Sequence, residues 1–529
     1  MSRSIRVTAF IASTITLAAP ATAQTAPQVE ERSITDLQAA LGRGTSSAAI
    51  TAAYLARIAA MDRTGPTLRA VIATNPDALD QARASDARRK SGTALGPLDG
   101  IPLLIKDNIE TRDPIATTAG SLALKNNVTR RDAPVVARLR AQGAVILGKT
   151  NLSEWANIRS TASMSGWSAV GGLVRNPYAL DRTACGSSSG SGAAVAASFA
   201  AAALGTETDG SVVCPAAMNG LVGFKPTIGL VSRTHVVPIS HSQDTPGPMA
   251  RSVRDAAILF SAMVGADPAD PATKDAARYA SDYTKGLSAG ALRGVRIGVL
   301  RPEMSAALKA TYDAQLLVLK RAGAVLVDVE QRKLEGLGEA EFEVLKTELK
   351  ADLNAYLATT PAAVTTRTLD QVIAFNAANA TTEMPFFGQE IFDMAATTRG
   401  LADAEYLGLR AKSRRLAGAE GIDAMLKTAK ATLLVAPTYG LPWLSDSVSG
   451  DHAEGPSAST LPAVAGYPHL TVPMGLVKGL PVGLSFIATA YGDERVLAAG
   501  YAYEQASKAR VAPRYLPAAD VGPGLEGAR

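Results

Sequence analysis

Histidine and cysteine are scarce in this sequence. Of 529 residues, four are histidine (His235, His241, His452 and His469) and two are cysteine (Cys185 and Cys214). No pair stands at zinc-finger or metalloprotease spacing, so the sequence offers no metal centre of those kinds. Aromatic residues make up only 5%, which gives little material for a base-stacking surface. The charge is nearly balanced, 53 Lys and Arg against 48 Asp and Glu, a net of +5. Basic runs are short, such as Arg88-Arg89-Lys90. The clustered basic stripe of a nucleic-acid binder is missing. Beyond the N-terminus, no apolar stretch is long enough to span a bilayer. No repeat of solenoid or propeller period is present.

What is there is the composition of a folded chain. Apolar residues reach 47% and charged residues 19%, which excludes disorder over most of the length. Residues 1–23 read as an export signal. Arg3 and Arg6 form a positive head, Val7 to Ala19 is apolar or small, and Ala21-Thr22-Ala23 fits a cleavage site. The mature protein is then expected in the periplasm or outside the cell, away from the membrane.

Residues 24–529 read as one α/β unit. Helical patterning is expected over 32–90, 133–142, 306–322 and 402–427, with an Ala-rich helix over 191–204. Short apolar strands are expected at 144–147, Arg296–Leu300, Val325–Val329, Leu433–Ala436, Leu470–Pro473 and Val482–Ile487. Such alternation predicts a sheet covered by helices. The more charged region 331–430 is expected to be a helical insertion or lid.

Two short motifs mislead. Gly143 to Thr150 matches a phosphate-binding loop. Its four central residues are Ala-Val-Ile-Leu, a strand, whose amides cannot curl around an anion. The expectation is a strand that ends at Gly148, with Lys149 leaving it. Gly186 to Gly190 matches a nucleophile elbow. No buried strand precedes it, as that elbow requires, although His452 and His469 lie downstream.

Three segments carry chemistry together: Gly100-Ile-Pro-Leu-Leu-Ile-Lys106-Asp107-Asn108, Cys185-Gly-Ser187-Ser-Ser-Gly, and Gly205-Thr-Glu207-Thr208-Asp209-Gly210-Ser211. They resemble the amidase signature family. Its pattern places the nucleophilic serine 24 residues after a bridging cis-serine, the separation of Ser187 and Ser211. Lys149-Thr-Asn-Leu-Ser-Glu-Trp155, Asp244 to Arg251 and Ala465-Gly-Tyr-Pro468 extend the resemblance. Within the family the chain looks most like the peptide amidase branch, whose members hydrolyse C-terminal amides of peptides.

The resemblance implies an α/β/α sandwich with a large mixed sheet of about eleven strands. It also implies a catalytic triad of Lys106, Ser187 and Ser211, and an oxyanion site of the backbone N–H groups of Thr208, Asp209, Gly210 and Ser211. No metal or cofactor is required, and a monomer is expected. The chemistry is consistent with the residues. Amide hydrolysis needs a nucleophile, a base and an anion site. An ordinary lysine, with a pKa of ~10.4, is neutral about once in two thousand at pH 7. The apolar run before Lys106 predicts a desolvated lysine with a lowered pKa. Gly210 suits a turn with positive φ.

Departures from the wider family are Glu207 for Asp, Asp209 for Gly and Val213 for Arg. Asp209 either touches substrate or anchors the loop. Ser188 and Ser189 are expected to hydrogen-bond locally, and Asp107 and Asn108 to support the turn. Cys185 and Cys214 flank active-site loops and are compatible with a disulfide or with two buried thiols. Other readings are an amidase for small aliphatic or aryl amides, an amidotransferase A-subunit, and an exported solute-binding protein.

Overall fold

The structure, a computed structural model, describes Ile5 and residues 27–519. The export signal expected over 1–23 otherwise lies outside the described residues.

Eleven strands form one mixed sheet. In chain order they are β1 (Val71–Thr74), β2 (Pro102–Lys106), β3 (Val145–Thr150), β4 (Ala202–Glu207), β5 (Val222–Lys225), β6 (Thr245–Ala250), β7 (Arg296–Leu300), β8 (Val325–Val329), β9 (Leu433–Pro437), β10 (His469–Val477) and β11 (Leu480–Ile487). Across the sheet the order is β1-β3-β2-β4-β6-β5-β10-β11-β9-β7-β8. Parallel pairs join β2 to β3 and β4, and β7 to β8 and β9; the rest are antiparallel. Every residue of β2, β3, β4, β6 and β9 is buried. Burial on both faces is what helical layers on each side of a sheet produce. The two edges are blunted, β1 by its four-residue length and β8 by the exposed Asp328.

Side-chain caps start the main helices. Ser33 and Asp36 form a capping box on Ile34–Gly42, and Ser46, Ser252 and Ser305 cap the helices that follow them. The region 331–430 contains helices Leu337–Ala358, Leu369–Ala378, Ala380–Glu383, Glu390–Ala396, Ala404–Ala417 and Asp423–Ala429. Leu349, Leu353, Leu357 and Phe392 from these helices pack on Trp155, Ile158, Val237 and Ile239. That cluster fastens the insertion beside the segments that lead into the site.

Several expectations need correction. The stretch 32–90 is not wholly helical, because β1 interrupts it. The stretch 191–204 is not one helix. Helix Ser189–Ala196 ends, Ser198 turns with φ 58°, and Ala202 begins β4. Small residues there serve close packing: a Cβ on Gly205 would lie 2.7 Å from Ser188 Oγ. Strand propensity is therefore weak in a strand that sits mid-sheet. β6 is hidden for a similar reason. Pro246 and Pro248 argue against an interior strand, but β5 pairs with β6 only at Met249 and Ala250. The helix expected over 402–427 is broken by a π-helical turn at Gly418–Ile422.

Candidate active site

Lys106 ends β2 and is fully buried. Its Nζ lies 2.8 Å from Ser187 Oγ and 2.8 Å from Thr206 Oγ1, with Thr206 O at 3.3 Å. Burial pushes its pKa down to about 7, against the nearby Asp244 and Glu207 carboxylates, which raise it. Near neutral pH a substantial fraction of this amine is therefore unprotonated. Ser187 follows a cis Gly186–Ser187 peptide and precedes helix Ser189–Ala196. Its carbonyl accepts the Ser153 N–H at 3.0 Å.

Ser211 lies in the turn after β4 and is 8% exposed. Its carbonyl accepts the Ser188 N–H at 3.2 Å, which brings the two serine loops together. Among the described residues, no hydrogen bond joins the Ser211 hydroxyl to Ser187 or Lys106, nor takes up the amides of Asp209, Gly210 or Ser211. Gly210 has φ 79°, and a Cβ there would lie 2.1 Å from Tyr439 Oη. Only glycine satisfies both constraints.

A shell of buried carboxylates holds this turn. Glu207 Oε2 accepts the amides of Val212 and Val213 at 2.8 and 3.0 Å. Asp244 accepts the Thr208 hydroxyl at 2.6 Å and the amides of Ile239 and Ser240. Its pKa is pushed up to about 6 by burial. Asp209 accepts from Thr460 Oγ1 at 2.8 Å, which favours its anchoring role, while its Oδ1 is buried without a partner. Glu341, on helix Leu337–Ala358, accepts from Gln243 Nε2 at 2.8 Å, and Gln243 also donates to the Thr208 carbonyl at 3.3 Å. Burial, with Asp209 nearby, raises Glu341 to about 8. Lys225, lowered by burial to about 8, has Glu207 and Asp209 among its charged neighbours.

Sequence reasoning missed Thr206, Asp244, Gln243, Glu341 and Lys225. Thr206 and Asp244 stood inside quoted motifs; Glu341 had no local signal at all. Three finer expectations change. Lys149 does not leave its strand at Gly148. β3 runs to Thr150, and the buried Lys149 Nζ bonds Ile109 O and Thr117 Oγ1, with Asp107 at 3.7 Å. Ser188 does not bond locally; its Oγ bridges to the Thr206 backbone. Asp107 accepts from Thr118, but Asn108 reaches Thr206 Oγ1 at 2.9 Å. His469 is buried against Ser485 Oγ and serves no serine of the site. Cys185 and Cys214 form a disulfide, with Cα atoms 6.0 Å apart.

Among the described residues, no helix is long and apolar enough to cross a membrane. The sequence model of the Amidase family matches residues 49–497. A probable amidase of Arabidopsis thaliana is 38% identical over 500 residues, covering 92% of each chain. The native peptide amidase of Stenotrophomonas maltophilia superposes with a TM-score of 0.87 at 51% identity, covering 92% of this chain and 99% of that one. A peptide amidase complex with the competitive inhibitor chymostatin gives 0.89 at 52%, with the same coverage. The chain therefore belongs to the amidase signature family and is an amide hydrolase structurally close to peptide amidase.

Proposed function

We propose that this protein hydrolyses the C-terminal carboxamide of peptides, releasing ammonia and the free acid, through an acyl-enzyme on Ser211. The observation that carries the proposal is the buried Lys106–Ser187 contact of 2.8 Å beside the Ser211 turn, in a chain half identical to peptide amidase. In the proposed reaction, Ser211 Oγ attacks the amide carbon. Its proton passes to Ser187, and the Ser187 proton passes to neutral Lys106. The carbonyl oxygen, now negative, is held by the uncommitted amides of residues 209–211, with Thr208 completing the loop. The C–N bond then breaks. The proton returns from Lys106 through Ser187 to the leaving nitrogen, which departs as ammonia. Water repeats the route in reverse to free the acid.

The leader-like residues 1–23 support placing this reaction in the periplasm or outside the cell.

The test is ammonia release from peptide C-terminal amides, the matching free-acid peptides, and simple amides such as benzamide. Wild type is compared with Ser211→Ala and Lys106→Ala. Release from peptide amides, lost in both variants, is expected. Release from simple amides alone would retain the site and remove the peptide assignment. Activity surviving in Ser211→Ala would remove the nucleophile.

A further inference from the structure

The Cys185–Cys214 disulfide brackets both serines. Cys185 stands two residues before Ser187, and Cys214 three residues after Ser211. On the opposite side, the Ser188 amide donates to the Ser211 carbonyl at 3.2 Å. The two serines thus lie on one small ring, closed covalently at one end and by a hydrogen bond at the other. Along the chain the two cysteines stand 29 positions apart.

The segment that the bridge holds is awkward to hold otherwise. Cys185 has φ 56°, a left-handed conformation that a residue with a Cβ disfavours. Its amide donates to Thr183 Oγ1, two residues back, at 3.0 Å. Gly186 is pressed against Ser153, where a Cβ would lie 2.1 Å from Oγ. Cys214 is on firmer ground: its N–H bonds the Gly210 carbonyl at 2.8 Å, in the first turn of helix Val213–Met218. The bridge therefore adds a covalent tie between the Ser187 segment, entered through the left-handed Cys185, and the Ser211 turn. Met218, Tyr439 and Trp443 cover it.

We propose that the Cys185–Cys214 disulfide is a positioning element for the reaction, holding Ser187 in proton-transfer register with Ser211, so that turnover depends on its oxidised state. The proposal rests on the serine roles given above. Reduction by a dithiol breaks the S–S bond, delivers two electrons and two protons to give two cysteine thiols, and closes the dithiol to its own disulfide. The Cys185 backbone is then free to leave its left-handed conformation, and Ser187 moves with it.

The test compares wild type, Cys185→Ser/Cys214→Ser, Ser211→Ala and Leu319→Ala. Leu319 is a fully buried residue of helix Ala306–Arg321, away from both serines, and serves as a destabilised control. Two rates are read at a temperature where circular dichroism shows every variant folded: covalent labelling by a fluorophosphonate, and ammonia release from a dipeptide C-terminal amide. The double serine variant is expected to lose on the order of ten- to a hundred-fold in labelling rate and kcat, because small misplacements of reacting groups are costly. Its KM should stay near wild type, and Leu319→Ala should keep its kcat. Wild-type labelling by the folded double variant would overturn the proposal. If that variant does not fold, wild type is titrated with dithiothreitol. Labelling that falls as two thiols appear, and returns on reoxidation, is expected; two thiols with labelling intact would overturn the proposal. Labelling of Ser211→Ala would instead contradict the nucleophile assignment, which separates the two failures.

Discussion

At the scale of single residues, the site turns on one buried amine. Lys106 has no carboxylate in direct contact, and its nearest partners are hydroxyls and a carbonyl. Desolvation outweighs the attraction of the nearby Asp244 and Glu207 carboxylates, and its pKa falls to about 7. Lys149, one strand over, is equally buried; burial lowers its pKa too, opposed by Asp107 at 3.7 Å. The sign of the pH dependence follows. A base with a lowered pKa is active above that pKa, so kcat/KM should rise with pH, level off above about 7, and fall about ten-fold per unit below it. A profile of ammonia release from pH 5 to 9 measures this. Rates that keep rising about ten-fold per unit up to pH 9, as an unshifted lysine would give, would contradict the lowered pKa, and rates flat from pH 5 to 9 would contradict Lys106 as the base.

At the scale of elements, the Ser211 turn is shaped by what cannot be there. Gly210→Ala places a methyl group 2.1 Å from Tyr439 Oη and imposes a positive φ on alanine. A marked loss of activity is expected. Gly210→Ala with Tyr439→Phe should recover part of it, because the hydroxyl contact is gone while the backbone cost of about 1–2 kcal/mol remains. Recovery to wild type would mean that the left-handed conformation does not matter.

The same elements explain what could be read from sequence. β7 and β8 fall where their apolar runs place them, because their side chains make the strand signal. Lys106, Ser187 and Ser211 are legible because their motifs resemble those of the amidase signature family. β4 and β6 hide behind alanine, glycine and proline, chosen for close approach. Asp244 stands in a quoted motif without its role being visible, whereas Glu341 joins the site through folding alone, 130 residues after Ser211, and no local pattern announces a contact of that kind.

At the scale of the molecule, the helical insertion is joined to the sheet body by charge as well as by its apolar cluster. His241, in the segment that carries Gln243 and Asp244, lies 2.9 Å from Asp352 and 3.3 Å from Glu348 on helix Leu337–Ala358. The hydrogen bond to Asp352 raises its pKa above the usual histidine value, aided by Glu348 and opposed by burial and Arg410. A raised histidine pKa stabilises the fold fully below the unfolded value of ~6.5. That stabilisation is lost as pH rises through the folded value. The Tm difference between wild type and His241→Gln should therefore be largest below pH 6.5 and shrink toward pH 8. A difference independent of pH would show that the contact does not involve the charged ring.

These scales meet in the claim that Lys106, Ser187 and Ser211 act as one unit. The most direct measurement is kcat/KM for a peptide C-terminal amide in Lys106→Ala, Ser211→Ala and the double variant. Residues that work as a unit are strongly non-additive, so the double variant should be no worse than the worse single variant. Losses that multiply would contradict the account, because they would mean that the lysine and the serine act independently.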